Sequence, residues 1–97
     1  EEVFIAYGAP VRAVQQVLHD NPGRNIGFLQ IRTVWPFPDF ALARFKNARR
    51  FLVPELNFGQ IAREIERHVK VPVVSISKLG GDLHLPGDLA AALREGS

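Results

Sequence analysis

Four short apolar runs separate this chain into repeating units, and their spacing limits the folds open to it. Val3–Tyr7, Ile26–Ile31, Phe51–Val53 and Pro72–Ile76 are nearly continuous in apolar residues. Between and after them lie stretches of helical periodicity. Strands that alternate with helices, and that lack polar alternation, belong to a parallel sheet buried on both faces. The expected order is βαβαβαβα. At 97 residues this is one domain with a modest core.

The helices are readable from their ends. Gly8 follows the first strand and suits a tight strand-to-helix turn, and Pro10 fits a first helical turn. Val11, Val14, Val17 and Leu18 make an inward stripe, with Arg12, Gln15, Gln16 and His19 outward. Asn21-Pro22-Gly23 closes the helix. Pro38-Asp39 opens the next, with Phe40, Ala41 and Phe45 as its buried side. Asn57 followed by Gln60 forms a capping-box pattern. Phe58, Ile61, Ala62, Ile65 and Val69 then give a core-facing stripe, with Glu66 and Lys70 as an i,i+4 pair on the outside. Gly80-Gly81 reads as a turn. Leu89, Ala92 and Leu93 mark a last helix, with Asp88 near its start.

Composition removes several functions. With 12 Lys and Arg against 10 Asp and Glu, spread along the chain, no nucleic-acid footprint stands out. The pair Arg49-Arg50 reads as a solvated strand end. There is no cysteine, so this chain supplies no disulfide, iron–sulfur ligand or thiol nucleophile. No apolar run approaches the roughly 20 residues of a membrane span, and a cytoplasmic setting is expected. The chain starts without Met, two residues before a strand, and is read as a piece of a longer polypeptide.

Few residues suggest chemistry. Gly8-Ala9-Pro10 lacks the G-x-G-x-x-G of dinucleotide folds. Gly80-Gly81 is not followed by Lys-Ser/Thr, so it is no P-loop. His19, His68 and His84 have no neighbouring ligands at metal spacing. Glu55 is the best lone candidate, because it ends a strand at the edge where parallel sheets bind ligands. Without a second carboxylate or base it makes poor acid–base machinery. An acid that anchors a loop, or an arginine across an interface, is the preferred reading. Trp35 and Phe37, held between prolines, are expected to form an interdomain or subunit surface.

Two junctions carry a family resemblance. Ile31-Arg32-Thr33-Val34-Trp35-Pro36-Phe37-Pro38 and Val53-Pro54-Glu55-Leu56-Asn57-Phe58-Gly59-Gln60, with Phe4–Gly8 and Lys78-Leu79-Gly80-Gly81, resemble the transketolase C-terminal-like domain of 2-oxoacid:ferredoxin oxidoreductase α subunits. The 2-oxoglutarate type is favoured over the pyruvate type. The resemblance spans nearly the whole of residues 1–97. It implies a three-layer α/β/α fold with a small, mostly parallel sheet in the order 2-1-3-4. It further implies a parent that converts a 2-oxoacid to an acyl-CoA with thiamine diphosphate, Mg2+ and iron–sulfur clusters, none of them held by this segment. The implied partners are a β subunit, upstream domains of the same α subunit, and ferredoxin, with no nucleic acid or membrane. No catalytic residue carries over to this chain. Trp35, Phe37, Glu55 and Asn57 are its interface candidates, and Gly8, Gln60, Gly80 and Gly81 its turn and cap positions. Pro54 departs from the family pattern and is expected to end the third strand. The alternatives are a free-standing module for a small anion or nucleotide, using the crevice near Tyr7-Gly8 and Leu56-Asn57, or an oligomerisation domain.

Overall fold

The computed structural model describes residues 2–32, 39–55, 60–77 and 86–94. Strand β1 (Glu2–Ala6) leads to helix α1 (Pro10–Asp20), strand β2 (Ile26–Gln30) and a 3-10 helix (Asp39–Phe45). Strand β3 (Arg50–Glu55), helix α2 (Gln60–Glu66), strand β4 (Val73–Ser77) and helix α3 (Pro86–Arg94) complete it. The four strands form one sheet in the order β2-β1-β3-β4, and all three pairings are parallel. This is the order the resemblance implies.

Side-chain alternation along the strands builds two cores. Val3, Ile5, Leu29, Phe51 and Val53 meet Ala41 and Leu42 of the 3-10 helix and Ile61, Ala62 and Ile65 of α2. Phe4, Ala6 and Leu52 turn to the other face and meet Val11, Val14 and Val17 of α1 and Leu89 and Leu93 of α3. β1 is buried at every position, which explains why it reads as a continuous apolar run and not as an alternation.

The first turn is local. Gly8 has a φ of +76°, a conformation that L side chains rarely adopt, and its carbonyl accepts the Val11 N–H at 3.1 Å. Pro10 stands at the start of α1, where a missing N–H costs nothing. At the far end the Asn21 side chain donates to the Val17 carbonyl at 2.8 Å, so the expected stop signal acts through its amide.

Three expectations need correction. The segment after Asp39 is a 3-10 helix, and its three-residue period reassigns its faces. Leu42 is buried and Phe45 partly so, while Phe40 is 79% exposed. An α-helical wheel had put Phe40 inside. Secondly, α2 ends at Glu66. The His68 N–H donates to the Ile65 carbonyl at 2.9 Å, an i,i+3 closure that tightens the last turn and leaves Lys70 off the helix. Glu64, not Glu66, makes the contacts at this end of α2: the Arg67 guanidinium lies at 3.3 Å and the His68 imidazole at 3.7 Å.

Thirdly, β3 does not stop at Pro54. Pro54 and Glu55 continue the pairing with β4, opposite Ile76 and Ser77. The Phe51 N–H donates to Pro72 of the β4 side. In a parallel strand alternate residues bond to alternate neighbours, so Phe51, Val53 and Glu55 address β4 and Pro54 addresses β1. The β1·β3 register runs only through Phe4↔Leu52. The proline therefore removes a donor from the side where pairing has already ended.

Candidate functional site

The chain crosses from one face of the sheet to the other between β1 and β3. Helix α1, following β1, lies on one face, and α2, following β3, on the other. Open parallel sheets bind ligands outside the carboxyl ends of strands at such a switch point. Tyr7, Gly8 and Glu55 stand at that edge. Tyr7 is 44% exposed. Trp35, Phe37, Asn57, Gly80 and Gly81 lie outside the described residues.

Glu55 points inward and is 2% exposed. One carboxylate oxygen accepts the Ile61 N–H at 2.9 Å. The other accepts the Ala62 N–H at 3.3 Å and the Ser75 hydroxyl at 3.1 Å. Glu55 thus caps the first turn of α2 from the preceding strand and ties that helix to β4. The first N–H groups of a helix have no partner of their own, and a carboxylate also suits the positive end of the dipole. Gln60, the sequence-predicted cap partner, is the first described residue of α2 and is exposed. Replacing Glu55 by Ala would orphan two buried N–H groups, and we expect a loss of about 1–3 kcal/mol. Urea midpoints of Glu55→Ala and the unaltered domain check this; equal midpoints would remove Glu55 from the structure's support.

A second buried carboxylate escaped the sequence reading. Glu2 opens β1 beside Arg50, its register partner on β3. The Arg50 guanidinium donates to Glu2 Oε2 at 3.1 Å and to the carbonyls of Ala92 and Leu93 at 3.3 and 3.0 Å. It therefore neutralises the acid and caps the carbonyl end of α3. Arg49 reaches Glu2 Oε1 at 3.1 Å, and Arg24 lies 3.8 Å from the same oxygen. Arg50 is buried, so the reading of Arg49-Arg50 as a solvated end holds for Arg49 only. The available signal was positional. An arginine that opens a strand destined for the middle of a sheet sits level with the acid that opens its neighbour.

Neither carboxylate is available for a metal or a proton-transfer step. Each already accepts hydrogen bonds on both of its oxygens from groups that hold the fold. Among the described residues no three His, Asp or Glu converge to hold a metal ion. A magnesium-bound diphosphate needs free oxygen ligands, and these residues do not fit it. No helix among the described residues is long and apolar enough to cross a membrane.

The architecture is that of a doubly wound parallel α/β domain whose polar interior serves helix ends. Its family follows from sequence. The chain belongs to the pyruvate:ferredoxin oxidoreductase core domain II family, whose model matches residues 1–89. The 2-oxoglutarate synthase subunit KorA of Methanocaldococcus jannaschii is 40% identical over 97 residues, covering 96% of this chain and 26% of that one. KorA of Archaeoglobus fulgidus is 36% identical over 90 residues, covering 90% of this chain and 26% of its own. This chain thus spans about a quarter of the length of these relatives. In fold it is similar to a 2-oxoglutarate:ferredoxin oxidoreductase from Magnetococcus marinus solved with 2-oxoglutarate, coenzyme A and succinyl-CoA bound. The TM-score is 0.86 at 20% identity, over 98% of this chain and 17% of that one.

Proposed function

We propose that this domain is a non-catalytic, subunit-contacting part of the α subunit of a thiamine-diphosphate-dependent 2-oxoacid:ferredoxin oxidoreductase. The observation that carries the reading is the family match through residues 1–89. Relatives named 2-oxoglutarate synthase favour 2-oxoglutarate as the oxoacid, with succinyl-CoA as product and ferredoxin as electron acceptor. The commitment of Glu2 and Glu55 to structural bonds supports a supporting role for this segment. Thiamine diphosphate, Mg2+ and the clusters are then held by other parts of the assembly. The partners are the β subunit and the remaining domains of the α subunit.

The carboxyl edge is the proposed contact surface, and Trp35, Phe37 and Asn57 are the residues proposed to make the contact. Glu55 contributes by fixing where the segment after β3 begins. The full-length parent with its β subunit is expected to reduce ferredoxin only when 2-oxoglutarate, CoA and thiamine diphosphate are all present. The 97-residue domain should give no turnover above the rate without enzyme. Activity in the domain alone, or none in the complete enzyme with any 2-oxoacid, would overturn the proposal. In the parent, Trp35→Ala should weaken subunit assembly roughly tenfold, as expected for an aromatic anchor. The melting temperature of the isolated domain should barely change. Equal losses in both would make Trp35 an ordinary core residue.

A further inference from the structure

The layer formed by the 3-10 helix and α2 leaves one large aromatic side chain in solvent. Phe40 is 79% exposed, and among the described residues it makes no ring contact. The tight winding puts it there. Residues three apart share a face of a 3-10 helix, so Leu42 and Phe45 turn to the core. Phe40 and Ala43 turn outward, and both are exposed. An α-helical winding of the same residues would give Phe40 to the core, so this fold forgoes the burial of a phenylalanine. Arg44 and Lys46 stand beside the outward pair, both exposed, and no acid among the described residues pairs with either. Scattered exposed apolar residues are ordinary. Here the neighbours make a pattern: an aromatic anchor, a small residue that allows close approach, and a cationic rim. Those are the parts of a protein interface.

We propose that Phe40 anchors a contact with another domain of the same polypeptide, whose surface supplies an apolar pocket edged by Asp or Glu carboxylates that face Arg44 and Lys46. The inference rests on the proposed function only in taking this chain as one segment of a longer α subunit. The relatives carry that length. This chain spans 26% of the KorA subunit of Methanocaldococcus jannaschii, so most of such a polypeptide is left to pack against it. Size favours a contact within one polypeptide over one between separate molecules. A stable interface between free proteins buries about 800 Å² on each partner, more than Phe40, Ala43 and two rim side chains offer. Tethering makes the second binding event intramolecular and lets a smaller contact hold. Surfaces between domains of one chain are accordingly more polar than those of obligate complexes, and a cationic rim fits that description.

The test uses the full-length parent with its subunits. Phe40 is replaced by the photo-crosslinker p-benzoylphenylalanine, the purified complex is irradiated, and mass spectrometry identifies the captured peptide. Capture should join position 40 to a peptide of the same polypeptide outside residues 1–97, with Asp or Glu close to the captured site. The α subunit should keep the mass of a single chain. Phe40→Gln should speed hydrogen exchange of the captured peptide roughly tenfold, the usual effect of losing an aromatic anchor. Exchange in β1 and β3 should stay unchanged, because Phe40 lies outside its own domain's core. Arg44→Glu with Lys46→Glu should speed exchange of the same peptide about fivefold at low salt, and screening should shrink the defect at high salt. Neither variant alters a buried residue, so both should fold. Capture of the β subunit, of a second α subunit or of a peptide within residues 1–97 would overturn the proposal. So would the absence of capture with exchange unchanged in both variants. A complex that shows this internal contact but no 2-oxoacid-dependent ferredoxin reduction would sink the proposed function and leave this inference standing. An active complex without the contact would do the reverse.

Discussion

Arg50→Met should cost about 3–5 kcal/mol, the usual effect of stripping one partner from a buried ion pair. Two losses combine. Glu2 would stay buried with only Arg49 and the more distant Arg24 to answer it. The carbonyls of Ala92 and Leu93 would also lose the guanidinium that serves them. A domain of this size has a total stability of about 5–15 kcal/mol, so the variant should be largely unfolded in mild urea. Arg49→Met removes an equally close contact to Glu2, but from an exposed side chain. Its cost should stay within about 1 kcal/mol. Urea midpoints of the two variants decide the matter, and a smaller loss for Arg50→Met would refute the buried pair as a structural centre. Glu2→Gln combined with Arg50→Met should recover part of the loss, because no unpaired charge is left inside.

Ile65→Ala should cost roughly 2–5 kcal/mol. Ile65 has no exposed surface, and it packs α2 onto the face formed by Val3, Ile5, Phe51 and Val53. Its described span has seven residues, and most of the stability of so short a run comes from this packing. Asn57→Ala, which deletes a sequence-predicted cap, should cost only about 1 kcal/mol. Two donors of the first turn already bond to Glu55, and that limits what a second cap can add. The same denaturation series ranks the pair. A larger loss at Asn57 would mean that the end of α2, not its packing, holds it in place.

The sheet was legible because its strands are buried on both sides, and such strands announce themselves as apolar runs. Gly8, Pro10 and Asn21 were legible because each meets a backbone need within a few residues. Phe40 was misplaced for a reason that hydrophobicity cannot reveal. Its burial depends on whether the helix winds with three or 3.6 residues per turn, and the sequence supports either. Arg50 was missed because its partners lie far away in sequence, at Glu2 and at the end of α3. Glu55 was singled out by its place at a strand end. Its role as a cap depended on where α2 starts relative to β3, a tertiary fact. Pro54 was judged by the donor it lacks, without knowing which neighbour that donor would have faced.

The short seam between β1 and β3 has a kinetic meaning. β1 with β2, and β3 with β4, are each a strand, a crossover and a strand, and their ladders run five positions. The seam that unites them has only three register positions, and its first pair joins Glu2 to Arg50. Closing that long loop loses chain entropy before any contact repays it, and non-local parallel pairing is slow for this reason. The halves should therefore take shape first and dock late, with the Glu2–Arg50 contact forming in the docking step. Amides of the seam should then open to solvent exchange before those at the centre of either half, as the boundary between two cooperative units.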